Sequence, residues 1–372
     1  MEETYKLIYK KIILITAIFS LIVSVIPYSK AENIKPKTLR AVIYVDDDAT
    51  CPGFGTLLSP YCRIQLAIDN ANEYDIIKVA NGTYYENIII STKGISLEWY
   101  GTDLIGIDTG QPIIDGSKLS DVIKIFANNV KISQFTIQNS SDLNFGVNIL
   151  AGEITLSNCD IVDNYNGIQM LRPECNLCTI DGCKIRDSIL SGILLFDQCS
   201  KNKIINCQLT GNRWGIWVVE SFDHFIQENF ISENNIGVVL QGANSYNIDV
   251  FRCVFTKNKI GLWLYGGANR NFVHYCDFIN NTNKYGPLSF LRGFPGTKGA
   301  WNMHALFTMC SKQSWEHNYW SPRPFFQDTN QPYPIWGTMY PTWIAGILPG
   351  AWRPQIPWIN VDLNTRATPL SG

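Results

Sequence analysis

From Ile154 to Phe278 apolar and polar residues alternate in runs of three to five, and the runs return in the same order about every 23 residues. The copies read "ITLSNCDIVDNYNGIQM", "TIDGCKIRDSILSGILL", "IINCQLTGNRWGIWV", "FIQENFISENNIGVVL", "DVFRCVFTKNKIGLWL" and "VHYCDFINNTNKYG". Period-two alternation in such short, β-branched runs predicts strands and excludes helices. A unit this small cannot bury its apolar side alone, so successive copies must stack and pair in parallel. The pattern therefore predicts an all-β chain wound as a parallel β-helix of about ten coils, roughly 50 Å long at one parallel strand spacing per coil.

Aligning the copies on one column fixes the others without adjustment. One column holds Phe135, Cys159, Cys183, Cys207, Asn229, Cys253 and Cys276. Five residues on stand Ser140, Asn164, Ser188, Asn212, Asn234, Asn258 and Asn281, an amide ladder expected to hydrogen-bond from coil to coil in a tight turn. Gly146, Gly167, Gly192, Gly215, Gly237 and Gly261 then precede Val, Ile or Leu, and are expected to permit a sharp corner before the next strand.

These phrases, with the recurring "N..GI", resemble the right-handed parallel β-helix repeat proteins of the pectin-lyase-like superfamily, and within it the NosD-type branch. The right hand of the winding is implied by that resemblance. The opening "YVDDDA", "IQLAIDNA" and "GTYYENI" is similar to the start of many secreted β-helix proteins, so the resemblance covers most of residues 42–322.

The ends of the chain read differently. Lys6, Lys10 and Lys11, the apolar run Ile12–Ile26 and Ser29-Lys30-Ala31 form a secretory leader pattern over residues 1–31, with an uncleaved anchor as the alternative. The mature chain is expected outside the cytoplasm, at the cell surface or beyond, with sequons at Asn81, Asn139 and Asn280 and no membrane span after cleavage. Residues 32–101 are expected to form an N-terminal cap and the first coils, with Ile64, Ala67, Ile68 and Ala71 on one face of a short helix. The repeats fill 102–300. A Trp- and Pro-rich C-terminal cap is expected over 301–372, where seven Trp fall between Trp301 and Trp358. Its "NYWSPRP" and "IPWINVDL" phrases resemble the closing segment of archaeal-type surface β-helix proteins, and Pro there stops the sheet from extending to a further chain.

Formal net charge is −2 and no run of Lys or Arg offers a phosphate-binding face, so nucleic acid is not an expected partner. Charged residues make up 17% and aromatics 12%, a low-charge, aromatic-rich chain of the kind that meets sugars or another protein. Of the eleven cysteines, Cys51 and Cys62 flank a Gly/Pro loop and are expected to bridge in an oxidising compartment. The Cys159 column reads as small buried core residues. Cys175 and Cys199 share a corner on adjacent coils, within disulfide reach.

The same corner carries a second reading, in which Cys175, Cys178, Cys199 and His224 form a site for zinc or cuprous ion. The resemblance adds to it, since NosD-type proteins are associated with copper-site maturation of nitrous oxide reductase. Asp46, Asp47 and Asp48 read either as a calcium cluster or as a solvated Asx turn. No other cofactor is expected. For catalysis, Asp163 and Asp187 share a column on adjacent coils, with Arg186 beside them and Asp160 and Lys184 three residues earlier. That spacing suits a paired-carboxylate glycosidase or lyase. Neither His274 nor His304 has an evident carboxylate partner.

The strand after each Gly offers the strongest surface. Its outward columns read Asn148, Gln169, Leu194, Trp217, Val239, Trp263 and, two residues on, Leu150, Leu171, Phe196, Val219, Gln241, Tyr265. A face this apolar needs a cover or a ligand. Trp217 and Trp263, two coils apart, suit stacking on alternate sugars of an extended glycan. The reading that joins these features is a secreted or cell-surface β-helix binding carbohydrate or surface polymer, without catalysis, through Trp217, Trp263, Tyr265 and Phe196. A polysaccharide-active enzyme using Asp163 and Asp187 is the alternative, and a metal accessory role the third.

Overall fold

The computed structural model describes residues 40–101 and 110–283, Asn318, and the backbone of short strands between 301 and 362. The expected leader and most of the expected C-terminal cap lie outside the described residues. Ala41–Gly372 forms one unit.

The chain is a right-handed parallel β-helix. Each coil gives one strand to each of three sheets, of 11, 10 and 11 strands in the order the chain visits them. We term these the first, second and third sheets. The coil from 131 to 149, for example, places Lys131–Ser133, Thr136–Gln138 and Phe145–Ile149 in the three sheets in turn. Among the described residues eight coils lie between Ile76 and Tyr265, against the ten or so expected, and the next takes its third-sheet strand, Ala305–Thr308, from beyond Asn283. The antiparallel pair Tyr333–Met339 and Ile356–Asp362 ends the third sheet.

Alternation decides which side chains enter the core. Leu156, Ile180, Ile204, Ile226, Val250 and Val273 of the first sheet are fully buried, as are Ile161, Ile185, Leu209, Ile231, Phe255 and Phe278 of the second. Phe255 and Phe278 stack with centroids 4.6 Å apart. Each such aliphatic side chain contributes roughly 1.5–3 kcal/mol of burial. The register of every strand pair matches the sequence columns, for instance Leu194 with Trp217, Trp217 with Val239 and Val239 with Trp263.

From Lys131 onward, two corners of each coil turn on a single left-handed residue. Gln134, Asn158, Asn206, Glu228, Arg252 and Tyr275 take it between the first and second sheets, and Asn139, Asp163, Asp187, Glu233, Lys257 and Asn280 between the second and third. Gly182 and Gly211 fill the missing places. The Gly column beginning at Gly146 was expected to supply a corner conformation, and its role is a different one. Those glycines have no left-handed φ; a methyl on Gly192 would stand 2.6 Å from the Gly215 carbonyl oxygen, so the column is small because backbones pack there.

The amide ladder forms as expected. Asn212, Asn234, Asn258 and Asn281 accept from the backbone N–H of Ser188, Asn212, Asn234 and Asn258 at 2.9–3.1 Å, and each donates to a carbonyl of the preceding coil. In the neighbouring column Cys207 Sγ approaches the carbonyls of Ile180 and Ile205 at 3.6 and 3.1 Å, where Asn229 Nδ2 donates to Ile204 at 2.8 Å. The thiols thus stand in for amides as well as filling space.

At the N-terminal end β1 (Val42–Val45) pairs in parallel with Ile76–Val79. The expected helix α1 (Ile64–Asn70) buries Ile64, Ala67 and Ile68 over the first coil. Its first N–H groups are held by the buried Glu86 carboxylate, which accepts from Ile64 and Gln65 at 2.8 and 2.9 Å. The Cys51–Cys62 disulfide forms, with Cα atoms 5.2 Å apart.

Candidate functional site

The cysteine corner is the first of the expected sites, and the structure assigns it to folding. Cys175 and Cys199 are both unbridged and buried. Cys175 Sγ is 2.9 Å from the Leu171 carbonyl oxygen and 3.1 Å from that of Ile149, whereas Cys199 Sγ meets Ser221 Oγ at 2.9 Å on the following coil. The expected bridge between them is therefore absent, because each thiol is engaged elsewhere. Cys178 lies in a different column, with its sulfur near the Ala151 and Asn176 carbonyls at 3.7 and 3.6 Å.

His224 follows in that same column after Cys178 and Asn202. Cys178 N–H donates to Asn202 Oδ1, and Asn202 N–H donates in turn to His224 Nδ1 at 3.3 Å. The imidazole occupies a ladder position and uses its lone pair as an asparagine oxygen would. Its Nε2 then carries the proton and donates to Ser221 Oγ at 2.7 Å, and Ser221 donates to the Cys199 carbonyl at 2.7 Å. Burial pushes the His224 pKa down to about 3 and raises the Cys175, Cys178 and Cys199 thiols to about 12, 12 and 11. The His224 imidazole is engaged at both nitrogens, and among the described residues no three His, Cys, Asp or Glu side chains converge as metal ligands. The same holds for the calcium reading of Asp46, Asp47 and Asp48. There Asp46 Oδ1 accepts from Asp48 N–H at 3.0 Å, and Asp47 Oδ2 accepts from Thr83 N–H at 2.9 Å.

Asp163 and Asp187 do stand in one column on adjacent coils, following the paired Val162 and Arg186. Both are exposed and both hold the left-handed corner, with φ of 53° and 59°. Asp is among the residues that tolerate this conformation, which accounts for it at these two places. Arg186 binds the Asp160 carboxylate at 3.1 and 3.2 Å and reaches Asp187 at 3.4 Å.

The outward face of the third sheet is where the sequence placed it. Trp214, Trp217 and Trp263 are half-buried and pack around Ile236, Val239 and Ile260, which they cover. Trp214 and Trp217 meet edge to face with centroids 4.1 Å apart, Trp217 Nε1 donates to Gln241 Oε1 at 3.1 Å, and Trp263 lies 5.5 Å from Tyr265. Phe196 is 40% exposed on the paired column. The aromatic rings are thus mutually braced and present their remaining area to solvent. Toward the N-terminus the same column turns polar: Asn148 Nδ2 donates to Asp121 Oδ2 at 2.9 Å, and Lys124 Nζ pairs with that oxygen at 3.0 Å.

A second cluster was missed. On the outward face of the first sheet, Asp249 lies between Phe225 and Phe272 in one column, and Gln227, Phe251 and His274 form the next. His274 Nε2 meets Asp249 Oδ1 at 2.6 Å, and Gln227 Nε2 donates to Asp249 Oδ2 at 3.0 Å. His274 therefore has the carboxylate partner that the sequence reading denied it; His304 lies outside the described residues. Arg252 stacks over Phe251 at 5.3 Å and pairs with Glu228 at 3.3 Å. The signal lay in the aligned copies "DVFRC" and "FVHYC", where Asp249 falls one outward step before the column of His274.

Residues 121–283 match a family model described as "Right handed beta helix region". No curated protein matches the chain. Among solved structures, pectate lyase Pel9A superposes with a TM-score of 0.53 at 14% identity, covering 74% of this chain and 77% of its own. XylC in complex with xylose gives 0.53 at 9% identity, covering 80% and 71%. At such identities the likeness is one of fold. Residues 121–283 are thus similar to that family, and the solenoid has the fold that Pel9A and XylC share.

Proposed function

We propose that this chain is an exported β-helix that binds carbohydrate, without catalysis, on the outward face of its third sheet. The observation that carries the reading is the column in which Trp217 and Trp263 flank Val239, half-exposed and braced by Trp214, Gln241 and Tyr265. Rigid aromatic faces about 10 Å apart match alternate rings of an extended glycan. Phe196, on the neighbouring column, extends the platform toward the N-terminal coils. The pectate lyase and the xylose-bound protein that share this fold both meet sugars, which supports a saccharide ligand. Export rests on the leader pattern of residues 1–31, and among the described residues no helix is long and apolar enough to cross a membrane.

A glycan array probed with the full chain and with a Trp217→Ala/Trp263→Ala variant tests the reading. Selective binding by the natural chain, lost in the variant, is the expected result. Binding that is equal in both, or no binding to any arrayed glycan, overturns it.

A further inference from the structure

We infer that the outward face of the first sheet, centred on Asp249, is a second and separate binding site, for an uncharged, extended β-linked oligosaccharide. Phe225 and Phe272 are 39% and 44% exposed and stand in one column with Asp249 between them. Two strand spacings separate the rings by about 10 Å. Sugars with equatorial substituents present flat C–H faces, and alternate rings of a β-linked chain repeat over a comparable distance.

The polar groups fit what would lie between those rings. A carboxylate has about four lone-pair sites. Asp249 uses one on each oxygen, for His274 from the coil above and Gln227 from the coil below. The carboxylate is thereby fixed in place on both sides, with its outer lone pairs free to accept sugar hydroxyls.

Charge decides the class of sugar. A uronic acid or sulfated chain would bring its anion against Asp249. Of the cations nearby, Arg252 is engaged by Glu228 and the Phe251 ring, and the exposed Lys203 stands in the same column beyond Phe225, two coils from Asp249. The face therefore suits a chain that donates hydroxyl hydrogen bonds and carries no negative charge. The Trp-bearing third sheet makes no contribution to it, so the two sites fail or stand independently.

Calorimetric titration of the full chain with cellohexaose, xylohexaose, mannohexaose and chitohexaose, and with hexagalacturonate as the acidic comparison, tests the inference. At least one neutral hexasaccharide should bind. Phe225→Ala/Phe272→Ala should weaken it tenfold or more, the near-isosteric Asp249→Asn severalfold, and Phe230→Ala, exposed on the second sheet, not at all. Asp249→Asn keeps the test decisive if the Phe variant misfolds by circular dichroism. The inference is overturned if no neutral hexasaccharide binds, if the acid binds more tightly, or if binding survives both first-sheet variants. It is likewise overturned if Trp217→Ala/Trp263→Ala alone abolishes binding, which would leave the third-sheet reading standing. A Phe variant that alters only the sedimentation coefficient would mark the face as a contact between copies of the chain.

Discussion

His224 behaves as an asparagine that happens to be an imidazole. Its Nδ1 accepts the Asn202 N–H and its Nε2 donates to Ser221. Replacing it with Asn, the residue at the equivalent place one coil earlier, should preserve the unfolding midpoint, whereas His224→Ala should cost about 1–3 kcal/mol in chemical denaturation by stranding both partners. Its pH behaviour has a definite sign. Burial holds the folded pKa near 3, below the unfolded value of about 6.5, so the unfolded chain binds the extra proton. Stability is full above about pH 6.5 and declines as pH falls toward 3. In His224→Asn that acid-side decline should shrink, measurable as a flatter midpoint-versus-pH curve. A gap in the other ladder gives the opposite opportunity. Ser188 interrupts the amides, and its buried hydroxyl has no hydrogen-bond partner among the described residues. Ser188→Asn should restore the missing acceptor for Asn164 N–H and stabilise by about 1 kcal/mol, read from the same denaturation curves. The asparagines of the ladder were legible from the sequence because identical residues recurred at one column. His224 was misread because its chemistry suggests a ligand and only the neighbouring coil reveals that its lone pair is occupied.

At the scale of the strand and its corner, composition constrains less than contact does. The Gly column looked like a device for φ, yet its glycines are there because each carbonyl presses on the preceding coil's α-carbon. Gly192→Ala should therefore destabilise by about 1–3 kcal/mol, the cost of overpacking, and should lower the thermal midpoint. Gly211, with φ of 73°, belongs to the other class: Gly211→Asn is expected to be tolerated, since Asn occupies equivalent corners at Asn139 and Asn280. The strands themselves were legible because period-two alternation sorts inward from outward residues whatever the partner is. Left-handed corners occupied by Glu, Arg, Lys and Tyr were not, since those residue types carry no such signature. The Asp249–His274 pair escaped for a related reason: its two members are 25 residues apart and meet only once coils are set in register.

For the whole molecule the repeat made the architecture readable from sequence, and stacking supplies what the repeat leaves open. Eight free cysteines lie buried along the described coils. Peptide-resolved mass spectrometry should find them unalkylated by iodoacetamide in the native chain and fully alkylated in guanidinium, because burial keeps the thiols out of reach. The disulfide at the N-terminal cap closes a short loop, and Cys51→Ser/Cys62→Ser should cost about 2–3 kcal/mol and expose α1 to early hydrogen exchange. The ladders also have a direction. Asn164, Asn212, Asn234, Asn258 and Asn281 all reach back, satisfying a backbone N–H and a carbonyl on the coil made before them. A corner is finished only by the chain that follows it. During synthesis the solenoid must then grow behind the ribosome like a zipper that locks one tooth late, each newly emerged coil remaining provisional until its successor arrives. A chain stopped after Gln241 should show this directly: the Asn212 amide, held by Asn234, stays protected from exchange, and the Asn234 amide, deprived of Asn258, does not.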